Sequence, residues 1–289
     1  MITMKSIEQT PPEGASHDWT IPQQWEKFSK AEHRLWDRLM ERQMSILPKR
    51  ACREFLRGLN FFGLCEPGIP NFERLSERLM KATGWQVVAV PGLVPDDVFF
   101  DHLANRRFVS GNFIRRPDQL DYLQEPDVFH DVFGHVPLLA DPVFADYMQA
   151  YGKAGQRANG CGALEKLARL YWYTVEFGLV MEDGAPRIFG AGIASSHSET
   201  IFSLESSSPN RVLFDLERLM RTQYRIDDYQ QTYFIVESFE ELLSCTQETD
   251  FRPLYERIDT MPVIAPDECI ATDAIVDIGT QHHALIKSI

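Results

Sequence analysis

The chain has 289 residues, 44% of them hydrophobic and 25% charged, with a formal net charge of −13. That composition describes a globular protein with a sizeable core rather than a disordered chain, and its acidic balance argues against nucleic acid or an anionic membrane as partner, since both call for basic patches. Five scattered cysteines without a C-x-x-C pair, no apolar signal core and no bilayer-length apolar run point away from a disulfide framework, a zinc ribbon or a membrane span, and toward the cytoplasm.

Residues 1–25 are polar and proline-containing and read as a segment lying loosely over the surface. From there, residues 26–262 read as a single domain and 263–289 as a weakly patterned tail. Ser29-Lys30-Ala31-Glu32 is a capping box, followed at helical spacing by Leu35, Trp36, Leu39, Met40 and Leu47. A second helix runs through Phe55 and Leu59, and a third from Asn71 through Leu75, Leu79 and Met80 to Gly84. WQVVAVPG, bounded by Gly84 and Pro91-Gly92, reads as a strand. Pro95-Asp96-Asp97 opens a helix carrying Val98, Phe99 and Leu103. Asp141 and Pro142 look like N-cap and N1 of a helix through Phe144, Met148 and Tyr151, closed by Gly152. The loop KAGQRANGCG then leads to a helix LEKLARLYWYTVEFGLV, and Asp183-Gly184 turns a hairpin into RIFGAG. Ser208, Asn210, Val212, Leu216, Leu219 and Met220 mark another helix. A strand-like YFIV precedes a second capping box at Ser238-Phe239-Glu240-Glu241. The expected fold is mainly α, with a few short β-strands and hairpins in a single catalytic domain.

The segment PDVFHDVFGHVPLL sets His130 and His135 in an apolar run. Five residues apart on a continuous α-helix they would diverge by about 140°. Gly134 before the second and Pro137 after it suggest a helix end, with His130 in the last turn and His135 in the chain beyond, so that both can reach one centre. A third donor is offered by Glu176, the sole charged group in LYWYTVEFGLV; burial of a lone carboxylate is costly, so it pairs either with an arginine, Arg169 or Arg187, or with a metal. Two imidazoles and a carboxylate on one face of an octahedron leave three positions open, the arrangement of non-haem Fe(II) oxygen activation. His₂Glu also serves zinc hydrolases, but their H-E-x-x-H template is absent.

The blocks VAVPGLVPDDVFFDHLANRRF, YLQEPDVFHDVFGHVPLLADPVFADY, LARLYWYTVEFGL, GAGIASSHSE and YFIVESFEEL, in that order and spanning roughly residues 30–260, resemble the pterin-dependent aromatic amino acid hydroxylases, the bacterial phenylalanine-hydroxylating members in particular. The resemblance implies hydroxylation of L-phenylalanine to L-tyrosine by O2 and a tetrahydropterin at Fe(II) held by His130, His135 and Glu176. Tryptophan or tyrosine hydroxylation by the same chemistry is the alternative within the family. It further implies pterin contacts from Gly92, Leu93, Val94, Phe99, Asp131, Ala168 and Tyr171, with Asp131 standing where animal members have Glu. The amino acid would be held by Arg115 at its carboxylate and lined by Tyr122, Leu123, Pro126, Trp172, Phe177, Gly192 and Ser195. Leu123 replaces a Thr of the animal enzymes. Glu199 would support the site by hydrogen bonding near Ser195 and His130. Ile235 falls where tyrosine-hydroxylating members carry an acid in the pocket, which favours phenylalanine. Too few residues precede Ser29 for the regulatory domain of the animal enzymes and the last residues show no sustained heptad, so a monomer is expected, with His282 and His283 in a mobile tail.

Overall fold

The computed structural model describes residues 10–121 and 125–287. Helix α1 (Lys30–Met44) starts at the expected capping box: Ser29 Oγ accepts from the Glu32 N–H while the Glu32 carboxylate accepts from the Ser29 N–H. Helices α2 (Arg53–Phe62) and α3 (Phe72–Thr83) follow, the latter capped by Asn71 and ended by Gly84 at φ 75°. Strand β1 (Gln86–Val90) and helix α4 (Asp96–Ala104) are where the pattern put them, but α4 leads into a strand that was not anticipated, β2 (Arg107–Gly111), paired in parallel with β1.

Helix α5 (Pro142–Asn159) has Asp141 as N-cap and Pro142 at N1, yet it does not close at Gly152. Most of KAGQRANGCG is therefore helix rather than loop. The glycines serve packing instead: a Cβ on Gly152 would lie 2.4 Å from the Ala104 backbone nitrogen, and one on Gly155 1.9 Å from the Phe100 ring. Helix α6 (Leu164–Tyr171) passes into a π-helical turn, Trp172–Glu176, and stops. Leu179 and Val180, expected on that helix, belong to β3 (Leu179–Glu182). The hairpin to β4 (Ala185–Ile188) turns on Asp183 and Gly184 at φ 51° and 77°, the paired positive values a type I′ turn requires.

Short helices α7 (Ala191–Ser195) and α8 (His197–Glu205) lead to β5 (Asn210–Leu213), so Val212 lies in a strand and only Leu216, Leu219 and Met220 of its expected group are on α9 (Leu216–Arg221). Strand β6 (Thr232–Val236) is buried along its whole length. Helix α10 (Phe239–Glu248) is capped by Ser238, but the Glu241 carboxylate accepts from the Glu237 N–H rather than from Ser238. Helix α11 (Phe251–Asp259) follows.

The strands assemble into a five-stranded sheet of order β4-β3-β6-β5-β7, the last strand being Ile275–Asp277, with a separate two-stranded pair β1-β2. The architecture is thus mixed α/β rather than mainly α. Strands of three to five residues leave too little periodicity to separate them from flanking helices.

The described residues near both ends are more firmly placed than their sequence suggests. Trp19 is buried, Ile21 bridges to Ala89, and Asp18 pairs with Arg107 at 3.0 Å. Past residue 262, Ile264 is buried against Thr222, β7 (Ile275–Asp277) adds to the sheet antiparallel to β5, and α12 (His282–Lys287) packs on the body. His283, expected in a mobile tail, sits with Nε2 3.1 Å from Asp228 Oδ1. Among the described residues no helix is long and apolar enough to cross a membrane.

Candidate metal centre and its cleft

Both segments that carry the expected ligands are π-helical. In Phe129–His135 the i→i+5 hydrogen bonding brings residues five apart onto nearly the same face, so His130 and His135 converge without leaving the helix. This corrects the expected helix end: both imidazoles ride on one wide turn, and Pro137 lies in the 3₁₀ turn Val136–Ala140 that follows. Gly134 lets that turn lie against α7, because a Cβ there would meet the Ala191 Cβ at 2.9 Å. Glu176 ends the second π turn.

The three donors meet. His130 Nε2 and His135 Nε2 are 3.3 Å apart, and the Glu176 carboxylate places Oε2 3.5 Å from the first and Oε1 3.4 Å from the second. Donor atoms spaced this closely suit a first-row metal ion, which binds imidazole nitrogen and carboxylate oxygen at about 2 Å. The residues therefore fit a metal. Neither arginine proposed as partner for Glu176 serves: Arg169 is engaged by Glu165 at 2.8 Å and by the Met220 carbonyl, and Arg187 by the Lys49 carbonyl. Asp131 brings a further carboxylate oxygen within 4.8 Å of the imidazoles, but it accepts from the Gly111 N–H at 2.8 Å, and Glu176 is the nearer donor.

Burial lowers His130, but the Glu176 carboxylate outweighs it and raises the imidazole above its ordinary value. Burial raises the Glu176 carboxyl, but the two imidazoles outweigh it and hold the group ionised, well below the usual carboxylate range. Burial lowers His135, keeping it a neutral ligand. For Asp131, burial dominates and pushes the carboxyl up to about 7, against the opposing pull of His130 and the Gly111 N–H.

His130 is oriented from behind. Its Nδ1 lies 2.9 Å from Ser195 Oγ, and Ser195 donates its own proton to the Ala191 carbonyl at 2.8 Å. The hydroxyl is left as acceptor, so Nδ1 carries the hydrogen and Nε2 keeps its lone pair for a metal. Ser195, expected as a substrate contact, thus holds a ligand as well. Glu199 does not reach Ser195 or His130: it accepts from Tyr233 Oη at 2.8 Å and from the Gln230 N–H at 3.4 Å. Burial pushes its carboxyl up to about 7.

The donors lie in a cleft of about 790 Å³, within the range of small-molecule sites. Gly92, Leu93, Val94, Phe99, Asp131 and Tyr171 line one side, with Phe99 edge-on to Tyr171 at 5.7 Å. Ala168 is buried behind this wall and does not line it. Arg115, Pro126, Trp172, Phe177, Gly192 and Ser195 line the rest, and Glu199 also reaches the surface of the cleft. Tyr122 and Leu123 lie outside the described residues. Ile235 is fully buried in β6 and does not face the cleft, so it cannot set substrate choice by contact.

Arg115 is itself buried, with Nε and Nη2 each bonded to the Asp127 carboxylate at 2.9 and 2.8 Å. Burial raises the Asp127 carboxyl, but the hydrogen bonds and charge of Arg115 outweigh it and hold the group below its ordinary value. Several lining residues carry no signal that sequence reading found. Phe108 lies against His135 at 4.9 Å. Gln230 accepts from Trp172 Nε1 at 2.9 Å, and behind the lining Tyr224 stacks on Trp172 at 4.3 Å. Both depend on a crossing between segments far apart in the chain.

Residues 16–254 match the family described as biopterin-dependent aromatic amino acid hydroxylase. The phenylalanine-4-hydroxylase of Caulobacter vibrioides is 60% identical over 278 residues, covering 96% of this chain and 94% of that protein. That of Chromobacterium violaceum is 55% identical, covering 89% of each. A crystal structure of the Chromobacterium violaceum phenylalanine hydroxylase with bound oxidised Fe(III) superposes with a TM-score of 0.88 at 53% identity, covering 92% of this chain and 96% of that one. Its cobalt-bound form gives the same TM-score at 54% identity, covering 90% and 93%.

Proposed function

The chain belongs to the biopterin-dependent aromatic amino acid hydroxylases, and from that premise we propose which of its residues carry the reaction. It is a monooxygenase that converts L-phenylalanine to L-tyrosine with O2, a reduced pterin and a mononuclear iron. Iron and tetrahydropterin together supply the electrons that make dioxygen reactive toward an arene. Everything else falls to side chains.

His130, His135 and Glu176 would hold the iron, which would supply its redox chemistry toward dioxygen there. Ser195 fixes the His130 tautomer. Arg115 takes the substrate carboxylate. Because Asp127 occupies its Nε edge, the contact left to the substrate runs through Nη1 and the second Nη2 hydrogen. Trp172 and Phe177, 4.8 Å apart, form the wall for the phenyl ring, while Phe99, Tyr171 and the Gly92–Val94 backbone hold the pterin. Held between these aromatic walls, the ring would be kept from bulk water while it reacts. No side chain acts as a nucleophile. The protein works as a monomer in the cytoplasm, consistent with its five unpaired cysteines.

The observation that carries this reading is the convergence of two imidazole nitrogens 3.3 Å apart with a carboxylate whose two oxygens lie 3.5 and 3.4 Å from them, one to each, in the lining of the cleft. The test begins with chelated protein loaded anaerobically with Fe(II) or Zn(II), then given tetrahydropterin, oxygen and each aromatic amino acid in turn. Tyrosine formation that requires iron, pterin and phenylalanine is expected. Equal turnover with zinc would refute the assignment.

A further inference from the structure

The segment between α9 and β6 forms part of the cleft wall: Ile226, Asp227, Asp228, Tyr229 and Gln230 all line it. From the inside it grips Trp172, through the Tyr224 ring stacked at 4.3 Å and the Gln230 amide oxygen 2.9 Å from the indole nitrogen. It is also gripped by the C-terminal segment, whose His283 itself lines the cleft. His283 Nε2 lies 3.1 Å from Asp228 Oδ1, and its ring packs on Tyr229 at 5.0 Å and on Phe202 at 5.2 Å. That histidine is pinned in turn, its backbone N–H donating to Ser208 Oγ at 3.0 Å and the preceding Gln281 N–H to the Ser208 carbonyl at 2.9 Å. A side-chain bond from Gln281 Nε2 to the Gln231 carbonyl at 3.2 Å fastens the same two segments.

We propose that His283 is a positioning residue for the amino acid pocket: by holding Asp228 it fixes the 225–230 segment where Gln230 and Tyr224 set the plane of Trp172. The inference rests on the reading of Trp172 as the wall for the substrate ring. Asp228 is almost fully buried while His283 is about one-third exposed, so the contact seals the outer rim of the cleft rather than its floor. A loosened rim leaves the metal ligands untouched and blurs the orientation of the ring.

The test uses the full-length, iron-loaded protein with His283→Ala and His283→Gln, the amide of Gln being able to donate to Asp228. Two readouts are taken: steady-state kinetics with phenylalanine, including tyrosine formed per tetrahydropterin consumed, and the rate of tryptic cleavage after Arg225 in folded protein. For His283→Ala the KM for phenylalanine rises about fivefold with kcat within about twofold, coupling falls, and cleavage after Arg225 accelerates. His283→Gln restores both readouts toward wild type. Wild-type KM in His283→Ala, with or without faster cleavage, overturns the proposal. So does equal impairment of kcat in both variants, which marks a general structural defect. Failure of the hydroxylase reading shows separately, as wild-type protein that makes no tyrosine; the tryptic rate at Arg225 then still decides whether His283 holds the segment.

Discussion

Ser195 Oγ stands 2.9 Å from His130 Nδ1, and the same hydroxyl is committed to the Ala191 carbonyl one helical turn back. One side chain thereby sets both the tautomer and the tilt of a metal ligand. Ser195→Ala removes the acceptor and is expected to weaken iron binding about 10- to 100-fold with the fold retained. Chelator competition against Fe(II), read beside a circular dichroism spectrum, checks this; undiminished affinity would strip Ser195 of the role.

Glu176→Ala removes the carboxylate that, alone among the described residues, lies within 3.5 Å of both imidazoles. Iron content after gel filtration should drop to background while the thermal transition survives, since the helix and its packing do not depend on the carboxylate. Metal analysis by plasma emission reads the outcome directly. Iron retained at the wild-type level would take Glu176 out of the centre.

Asp127 and Arg115 form a buried pair bonded at two points. Arg115→Lys keeps the charge but loses the fork, and the KM for phenylalanine should rise by about 10- to 100-fold, equivalent to roughly 1.5–3 kcal/mol of charge-assisted hydrogen bonding. Asp127→Asn leaves a buried guanidinium unpaired, at a cost of about 3–5 kcal/mol. Since the folded Asp127 carboxyl titrates below its unfolded value of 3.8, its contribution is complete above that pH and disappears as pH falls through the lower folded value. Urea midpoints of wild type and Asp127→Asn should therefore differ at neutral pH and converge only in strong acid.

Glu199 has the opposite sign. Burial lifts its carboxyl from 4.5 to about 7, so ionising it in the folded protein opposes folding increasingly as pH rises from the first value to the second, and constantly above. Glu199→Gln keeps an oxygen for Tyr233 and removes the charge. The variant should be more stable than wild type at pH 8, with the gain shrinking as pH is lowered toward 4.5. Melting temperatures across that range measure it, and a gain independent of pH would contradict the assignment.

Gly155→Ala drives a methyl to 1.9 Å from the Phe100 ring, where α4 and α5 cross. Overpacking of this kind costs about 1–3 kcal/mol or more. Because Phe100 adjoins Phe99 on the pterin side of the cleft, the KM for tetrahydropterin should rise alongside the fall in the urea midpoint.

What could be read from the residues alone follows a physical divide. Boundaries with local chemistry were legible: the Ser29 box, Asn71 and Gly84, Asp141-Pro142, and the Asp183-Gly184 turn each satisfy or end a helix or hairpin through near neighbours. Three candidate donors were legible too: a carboxylate alone in an apolar run is costly unless paired, which left Glu176 divided between an arginine and a metal until the family resemblance joined it to His130 and His135. Their geometry was not. Gly134 and Pro137 looked like a helix end, since nothing in the residue order distinguishes an i→i+5 turn from a break. Likewise Val212 and Leu179 sit in strands whose partners, β6 and β3, lie elsewhere in the chain. The docking of the last residues and the partners of Glu199 are long-range facts of the same kind.

The π turns have an evolutionary corollary. A turn that spans five residues instead of four differs from an ordinary helix by length, not by composition, so His130 and His135 are brought together by the number of residues between them. Point substitutions at Asp131, Val132 or Phe133 can tune or loosen the centre, but excising any one of them would rewind the turn and swing His135 by roughly a quarter revolution. The convergence of the candidate ligands is thus, in part, a matter of counting: it is open to gain or loss in a single insertion or deletion, and robust to much else.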